Sequence, residues 1–484
     1  MTRSAIVLLA AISVSALLLI PVSVDFAYGT PIADRPIELL VGILCLQGAL
    51  FLLFARQVLR VRIAPSAVGA ALALGLLVRV GLFFSGPILE TDFYRYLWDG
   101  AVTAQWENPY RPIPREVIYE ESPLGDLARE SNPVVWRINH PHLRTIYPPV
   151  SQVFFAAAYI IQPWSLNAWR LVILLADVAA LGLLLLVLRE AKLPAALSLL
   201  YWWNPLVFKE YYNAAHMDVL LAPFLLGAML LACRRQLAPA VLVLAAATGV
   251  KLWPVLLLPL LLRVGGVSLR HVAAATGVYA FAVAAIHIPV YTPGLDSTSG
   301  FVAYAGGWEM NNGPYLLFLA AGRAWEGMSG MEGSARTVAS GIAGGIVLAV
   351  VALACRRPVG GLADMGGRAL AIVAALFLVS PTQFPWYSLW FLPFLALRPH
   401  FALMFYALTL PLYYLRFRYQ GLGIEGVFDH WVVWVEHGPV LLLLAATLLT
   451  RTREDVLPAL GVENGPAEED RTPAVGLSPR GEAS

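Results

Sequence analysis

Apolar blocks long enough to match a lipid bilayer constrain this chain more than any other feature. Residues 6–20, 39–54, 171–188, 219–232, 272–288 and 440–449 are almost wholly apolar. A helix needs ~20 such residues to cross ~30 Å of hydrocarbon with its backbone hydrogen bonds closed internally. Only 13% of the residues are charged and mean hydropathy is +0.70. Soluble domains carry roughly 25% charged residues, so a water-exposed globule is excluded. The pattern predicts an all-α polytopic membrane protein with a bundle of about 11–14 transmembrane helices. The segment after Met1–Arg3 reads as the first span, because no small-residue cleavage site precedes Pro21.

Basic residues stand at span ends: Arg56/Arg60/Arg62, Arg189/Lys192, Arg234/Arg235, Arg263/Arg270, Arg356/Arg357 and Arg451/Arg453. Such clusters face the cytoplasm. Residues 86–145 hold nine acidic and six basic side chains, and fall outside if the third span ends near Phe84. Two crossings within 147–188 would put Arg189 and Lys192 outside, so either the first is a half-span or the loop assignment is off by one crossing. Residues 238–263, interrupted by Lys251 and Pro254, read as half-helices that dip in and return. A net charge of +2 supplies no field for nucleic acid. Cys45, Cys233 and Cys355 lie in apolar runs without metal-ligand spacing, so no disulfide and no cysteine-ligated metal is expected. The predicted division is residues 1–62 as two N-terminal transmembrane helices, 63–450 as the transmembrane core with an extracytoplasmic loop at 87–146, and 451–484 as a disordered cytoplasmic tail.

Polar residues in this setting are the candidates for chemistry. In TDFYRYLWDGAVTA, residues 91–104 taken as a helix, Asp92, Arg95, Tyr96 and Asp99 share one face, and Phe93, Tyr94, Leu97, Trp98 and Ala101 cover the other. That pattern predicts an amphipathic helix in the membrane surface; the plainer account is a solvated face with an ordinary Asp92–Arg95 ion pair. A rigid WENPYRP turn with Asn108 follows. In YWWNPLVFKEYYNAAHMD, Lys209, Asn213 and His216 share a helical face, and Asp218 joins them only if the helix breaks. Charge between apolar runs marks a functional candidate, although snorkelling by Lys209 and capping by Asn213 or Asp218 would also account for it. Lys251 needs an anion or a route to water. His140, His142, Arg144 and Tyr147 mark the return into the membrane; no third ligand accompanies the two histidines, and no metal site is expected. Gln383, Trp386 and Tyr387 read as a groove lining or an interfacial aromatic belt, and Arg416 and Arg418 as phosphate ligands or membrane rim. No P-loop, GxSxG or HExxH pattern is present.

TDFYRYLWDG…NPYRP, IYPPVSQ, WNPLVFKEYYNAAHMDVLL, KLWPVLLLPLLLR and SPTQFPWYSLWFLPF, in that order, resemble the prokaryotic GT-C-type glycosyltransferases that use polyprenyl-phosphate sugars, in particular family 87 and related mannosyltransferase-like membrane proteins. The likeness runs from about Leu74 to Leu415, leaving the first two spans as an N-terminal addition. It implies a GT-C-like fold and transfer of a hexose or pentose, with mannose favoured, to an envelope glycan, glycolipid or protein. The implied location is the bacterial inner membrane, with the site on the extracytoplasmic side. It further implies an acid in the first large external loop as catalytic base, a place occupied by Asp92. Where many members have adjacent acids, this chain has Glu90, Thr91 and Asp92, which puts metal dependence in doubt, and no cofactor is assigned. The resemblance sets Asn213, His216 and Asp218 near the same cavity. In the mechanism it suggests, Lys251 and one of Arg95, Arg416 or Arg418 stabilise the departing phosphate. Arg95, Tyr96, Asp99, Asn108, Tyr147, Lys209, Asn213, His216, Asp218, Lys251, Gln383 and Tyr387 are the expected substrate-binding set. The competing reading is a transporter or flippase of a lipid-linked or polar solute, which would carry intramembrane charge and broken helices.

Overall fold

In this computed structural model, residues 1–266 and 268–450 are described, so the predicted tail at 451–484 lies outside the described residues. Among them there is no β-strand, only two isolated bridges, Val264 with Val359 and Met310 with Thr382. Eight described helices are long and apolar enough to cross a bilayer, or nine if one bent pair counts as a span. The chain is a multi-pass membrane protein.

The uninterrupted spans are fewer than the apolar blocks suggest because several blocks are broken. Pro149–Ile161 has 13 residues and Leu237–Thr248 has 12, which at 1.5 Å per residue gives roughly 18–20 Å, short of the hydrocarbon core. The first is the half-span alternative for residues 147–162; the Leu166–Glu190 helix after it is full length. Leu237–Thr248 ends just before Lys251, and the chain continues as the short turns Trp253–Leu257 and Leu258–Leu261. The bent pair is Val207–Asn213 with Met217–Cys233, at 102°. Its first arm is a π-helix, and Ala215 at the bend has φ 61°. Lys209, Asn213 and His216 therefore do not share an α-helical face, contrary to the spacing argument, and the bend turns Asp218 to a different side.

One internal ion cluster ties three segments together. Arg79 and Asp177 are fully buried on the Pro65–Phe84 and Leu166–Glu190 spans, with Nε 2.8 Å from Oδ2. Tyr201 and Tyr212 donate to Asp177 at 2.6 and 2.7 Å, Arg79 donates to the Trp202 carbonyl, and its guanidinium lies 3.4 Å from the Trp202 ring centroid. Every charge has a partner, as low dielectric demands. This cluster anchors the span that leads into the 85–92 segment.

The Asp92–Ala104 helix is where predicted, and it packs inside the protein on both faces. Phe93, Leu97, Trp98 and Ala101 are buried along with Arg95, Tyr96 and Asp99. The reason is a close crossing: a Cβ on Gly100 would stand 2.3 Å from the Phe155 carbonyl oxygen. Only glycine lets the two backbones meet there, and the contact draws the helix into the protein. Nor is the N-terminal helix pair set apart. Its side chains belong to the same hydrophobic core as the rest, and its connecting segment reaches the main cavity.

Candidate active site

A cavity of ≈ 1240 Å³ opens where the 85–92 segment, the 139–148 return, the bend at Asp218, the Lys251 break and the 384–390 aromatic turn converge. Asp92, Arg95, Tyr96, Tyr147, Asp218, Lys251 and Tyr387 line it.

Asp92 is the first residue of its helix, where the positive end of the helix dipole favours a carboxylate. Its Oδ2 accepts from the Tyr147 hydroxyl at 3.1 Å and its Oδ1 from the Asn139 amide at 3.4 Å. Both donors are neutral, so the charge is held without being cancelled. Burial pushes the Asp92 carboxyl above its usual range, against those two hydrogen bonds and the pull of Lys251. Asp218 is 2% exposed, and its Oδ1 takes Lys251 Nζ at 2.5 Å and Trp390 Nε1 at 2.6 Å. Lys251 Nζ in turn sits 4.1 Å from the Tyr387 ring centroid and 4.7 Å from that of Trp390. It is part-exposed toward the cavity, so its proximity to Asp218 still leaves a cation on the wall.

Arg95 reaches the wall, but its guanidinium donates to the His140 and Leu143 carbonyls at 3.0 Å, fixing the return loop. Tyr96 stacks on Phe155 with centroids 4.7 Å apart. The Asp92–Arg95 ion pair of the plainer account is not formed.

Other predicted residues stand behind the wall. Asn213 accepts from the Ile88 amide and donates to Ser85 Oγ and the Gly86 carbonyl, at 3.2, 3.2 and 2.7 Å. Lys209 donates to the Ile88 carbonyl at 3.2 Å. Together they pin the strand of chain that delivers Glu90 and Asp92. Asp99 is hydrogen-bonded by Thr145 and, at 3.4 Å, by Gln152; burial raises its carboxyl to about 6. Gln383 is fully buried and braces its own turn through the Leu378 and Ser380 carbonyls. Asn108 ties the loop to the Pro289 carbonyl and Thr292 Oγ1, each at 2.9 Å, away from the cavity. Arg416 and Arg418 pair with Asp429 and Glu38 outside it. His140 lies on the wall with its ring against Trp308, and its ring centroid is 6.0 Å from that of His142. Of the expected substrate-binding set, Asp99, Asn108, Lys209, Asn213, His216 and Gln383 do not line this cavity.

His216 stacks on Trp386 with centroids 3.8 Å apart, and its Nε2 stands 3.7 Å from Glu90 Oε2 and 3.8 Å from Glu210 Oε2. Neither ring nitrogen has a hydrogen bond. Glu90 itself lines the cavity, and burial raises its carboxyl well above the ordinary range. Spacing arguments passed over it because it precedes the helix. They also passed over Tyr28 and Arg35, which reach the same wall from the N-terminal pair. The polar SVDFAYGTPIADRP break between the first two spans was the available signal.

Asp92 can thus accept a proton from a hydroxyl group in the cavity, Lys251 can face an anion, and Trp386, Tyr387, Trp390 and Trp253 can pack against sugar or hydrocarbon. No curated protein and no solved structure matches this chain. The family described as alpha-(1->6)-mannopyranosyltransferase, N-terminal domain, matches over residues 1–265, more than half of the 484 residues and across the boundary between the first helix pair and the rest. The chain belongs to this alpha-(1->6)-mannopyranosyltransferase family and is a membrane-embedded glycosyltransferase of mannosyltransferase type.

Proposed function

We propose that the enzyme transfers a mannosyl residue from a polyprenyl-phosphate donor to a hydroxyl of an envelope glycan, glycolipid or protein acceptor, with inversion and with Asp92 as general base. The observation that carries this is the placement of Asp92: a carboxylate held only by neutral donors on a large wall that also carries a cation and an aromatic bank. Displacement at the sugar's anomeric carbon needs a base within ~2.6–3.2 Å of the acceptor hydroxyl. The leaving polyprenyl phosphate is already an anion, so a cation serves it better than an acid, and Lys251 takes that part. A donor with a prenyl tail explains a catalytic cavity among transmembrane helices. The cavity exceeds the ~300–1,000 Å³ of common ligand sites, which leaves room for donor head group and acceptor together. In this reading the cavity opens on the extracytoplasmic side of the inner membrane. That orientation rests on the acidic loop and the basic span ends.

Purified protein is to be supplied with polyprenyl-phosphate mannose and, separately, with a nucleotide-linked mannose, and the product's anomeric configuration read by NMR. Transfer from the lipid-linked donor alone, with the configuration opposite to the donor's, is expected. Transfer from the nucleotide sugar alone, or with retention, would remove this reading.

A further inference from the structure

The first two spans have a second feature at their other end. The Arg3–Phe26 and Ile37–Arg60 helices run antiparallel, so their connecting segment faces the main cavity while Arg3 and Arg60 meet at the opposite end. There a separate pocket of ≈ 690 Å³ is lined by Arg3, Arg56 and Arg60 together with Val7, Leu8 and Leu53. None of these three guanidiniums takes part in any hydrogen bond or ion pair among the described residues. Two other arginines near helix ends are committed within the protein: Arg234 pairs with Glu190, and Arg368 pairs with Asp364 and three backbone carbonyls. Polarity in the pocket is graded along the helix axes. Arg3 lies about one turn outside Val7, and Arg60 roughly 10 Å beyond Leu53 at 1.5 Å per residue. That order, cations at the rim and apolar side chains deeper, is the order of a phospholipid's phosphate and acyl chain.

We propose that this pocket binds the head group of an anionic phospholipid, with Arg3, Arg56 and Arg60 on the phosphate and Val7, Leu8 and Leu53 against the upper acyl chain. A basic pocket between transmembrane helices at a membrane face is suited to such a ligand. Guanidinium pairs with phosphate oxygens in bidentate fashion. A free phosphate would satisfy the arginines but leave the apolar floor uncovered, so the lipid is the better occupant. The site is independent of the sugar chemistry, and its loss leaves the catalytic wall intact.

Full-length protein, delipidated in a zwitterionic detergent, is to be titrated with phosphatidylglycerol, phosphatidylcholine or inorganic phosphate, with retained lipid read by native mass spectrometry and stabilisation by thermal unfolding. The expected result is retention of phosphatidylglycerol, not phosphatidylcholine, and a rise in melting temperature that phosphate alone does not reproduce. The R3A/R56A/R60A variant should hold phosphatidylglycerol on the order of a hundredfold more weakly, at about fivefold per charge. Its sugar-transfer rate in excess lipid should be unchanged, which also reports that it folds. R356A/R357A is the control for general surface charge and should bind like the wild type. Equal loss in that control, equal retention of phosphatidylcholine, or an unaltered triple variant would overturn the proposal. Saturation by inorganic phosphate alone would reassign the pocket to a free anion and overturn the lipid.

Discussion

Two carboxylates reach the same cavity from different segments, and they are held differently. Asp92 comes from the polar loop after the third span and is bonded by a tyrosine and an asparagine. Asp218 comes from the bend in a broken span and is bonded by a lysine and a tryptophan. The Asp218 oxygen that faces the cavity is already taken by Lys251 and Trp390, whereas Asp92 is held only by neutral donors and is free to meet an acceptor hydroxyl. Burial beneath the wall strengthens the contrast by raising Asp92 above the ordinary carboxylate range. In this account the partners, more than the position, divide the roles: Asp92 moves a proton and Asp218 orients Lys251.

The largest effect that sharpens this contrast is expected at Asp92. Asp92→Asn preserves shape and should lower kcat by about 10²–10⁴-fold, the range of a lost general base, with the melting temperature nearly unchanged. Asp218→Asn should instead act on stability. It leaves Lys251 beside a neutral amide, and removing one partner of a buried pair costs about 3–5 kcal/mol; the 17% exposure of the Lys251 side chain places the loss near the lower end. Thermal unfolding should show it, and Asp218→Asn/Lys251→Met should recover most of the stability and none of the activity.

Asn213 tests whether the two regions are mechanically joined, since it sits on the bent span and bonds the segment delivering Asp92. Asn213→Ala should reduce kcat by roughly tenfold to a hundredfold through misplacement of the base, a smaller loss than at Asp92. The smallest effect is a pH shift. The Tyr147 hydroxyl favours the ionised Asp92, so Tyr147→Phe raises the Asp92 carboxyl further. Activity needs the ionised form and is lost as pH falls through that value. The acid limb of kcat/KM should therefore move to higher pH in Tyr147→Phe, and a limb moving lower would contradict the assignment.

Much of the fold was legible because bilayer thickness imposes a length on apolar runs, Lys251 and Pro254 mark a break inside one, and the charges at Arg189 and Lys192 pointed to a half-span at 147–162. The Asp92 helix was legible through its period, yet its burial was not. Gly100 meeting Phe155 is a contact between helices far apart in sequence, and a single glycine does not announce a partner. The site was half legible. Charge in apolar surroundings pointed to the cluster ending at Asp218 and to Lys251, and the family resemblance singled out Asp92 from Asp99. The same rule also selected Lys209 and Asn213, whose hydrogen bonds turn out to go to the 85–88 segment behind the wall. It gave no reason to exclude them, because periodicity assumes a regular helix and residues 207–213 form a π-helix. Arg35 escaped because it lies on no periodic element, and Glu90 was noted only as a departure from the family's paired acids.

Chemical rescue tests the division of roles most directly. Asp92→Ala and Asp218→Ala, each with donor binding verified, are to be assayed for single-turnover transfer with increasing formate, a small carboxylate that the cavity can admit. The account predicts that formate restores transfer in Asp92→Ala in proportion to its concentration and does nothing for Asp218→Ala. Wild-type rates in Asp92→Ala without formate, or rescue confined to Asp218→Ala, would contradict it.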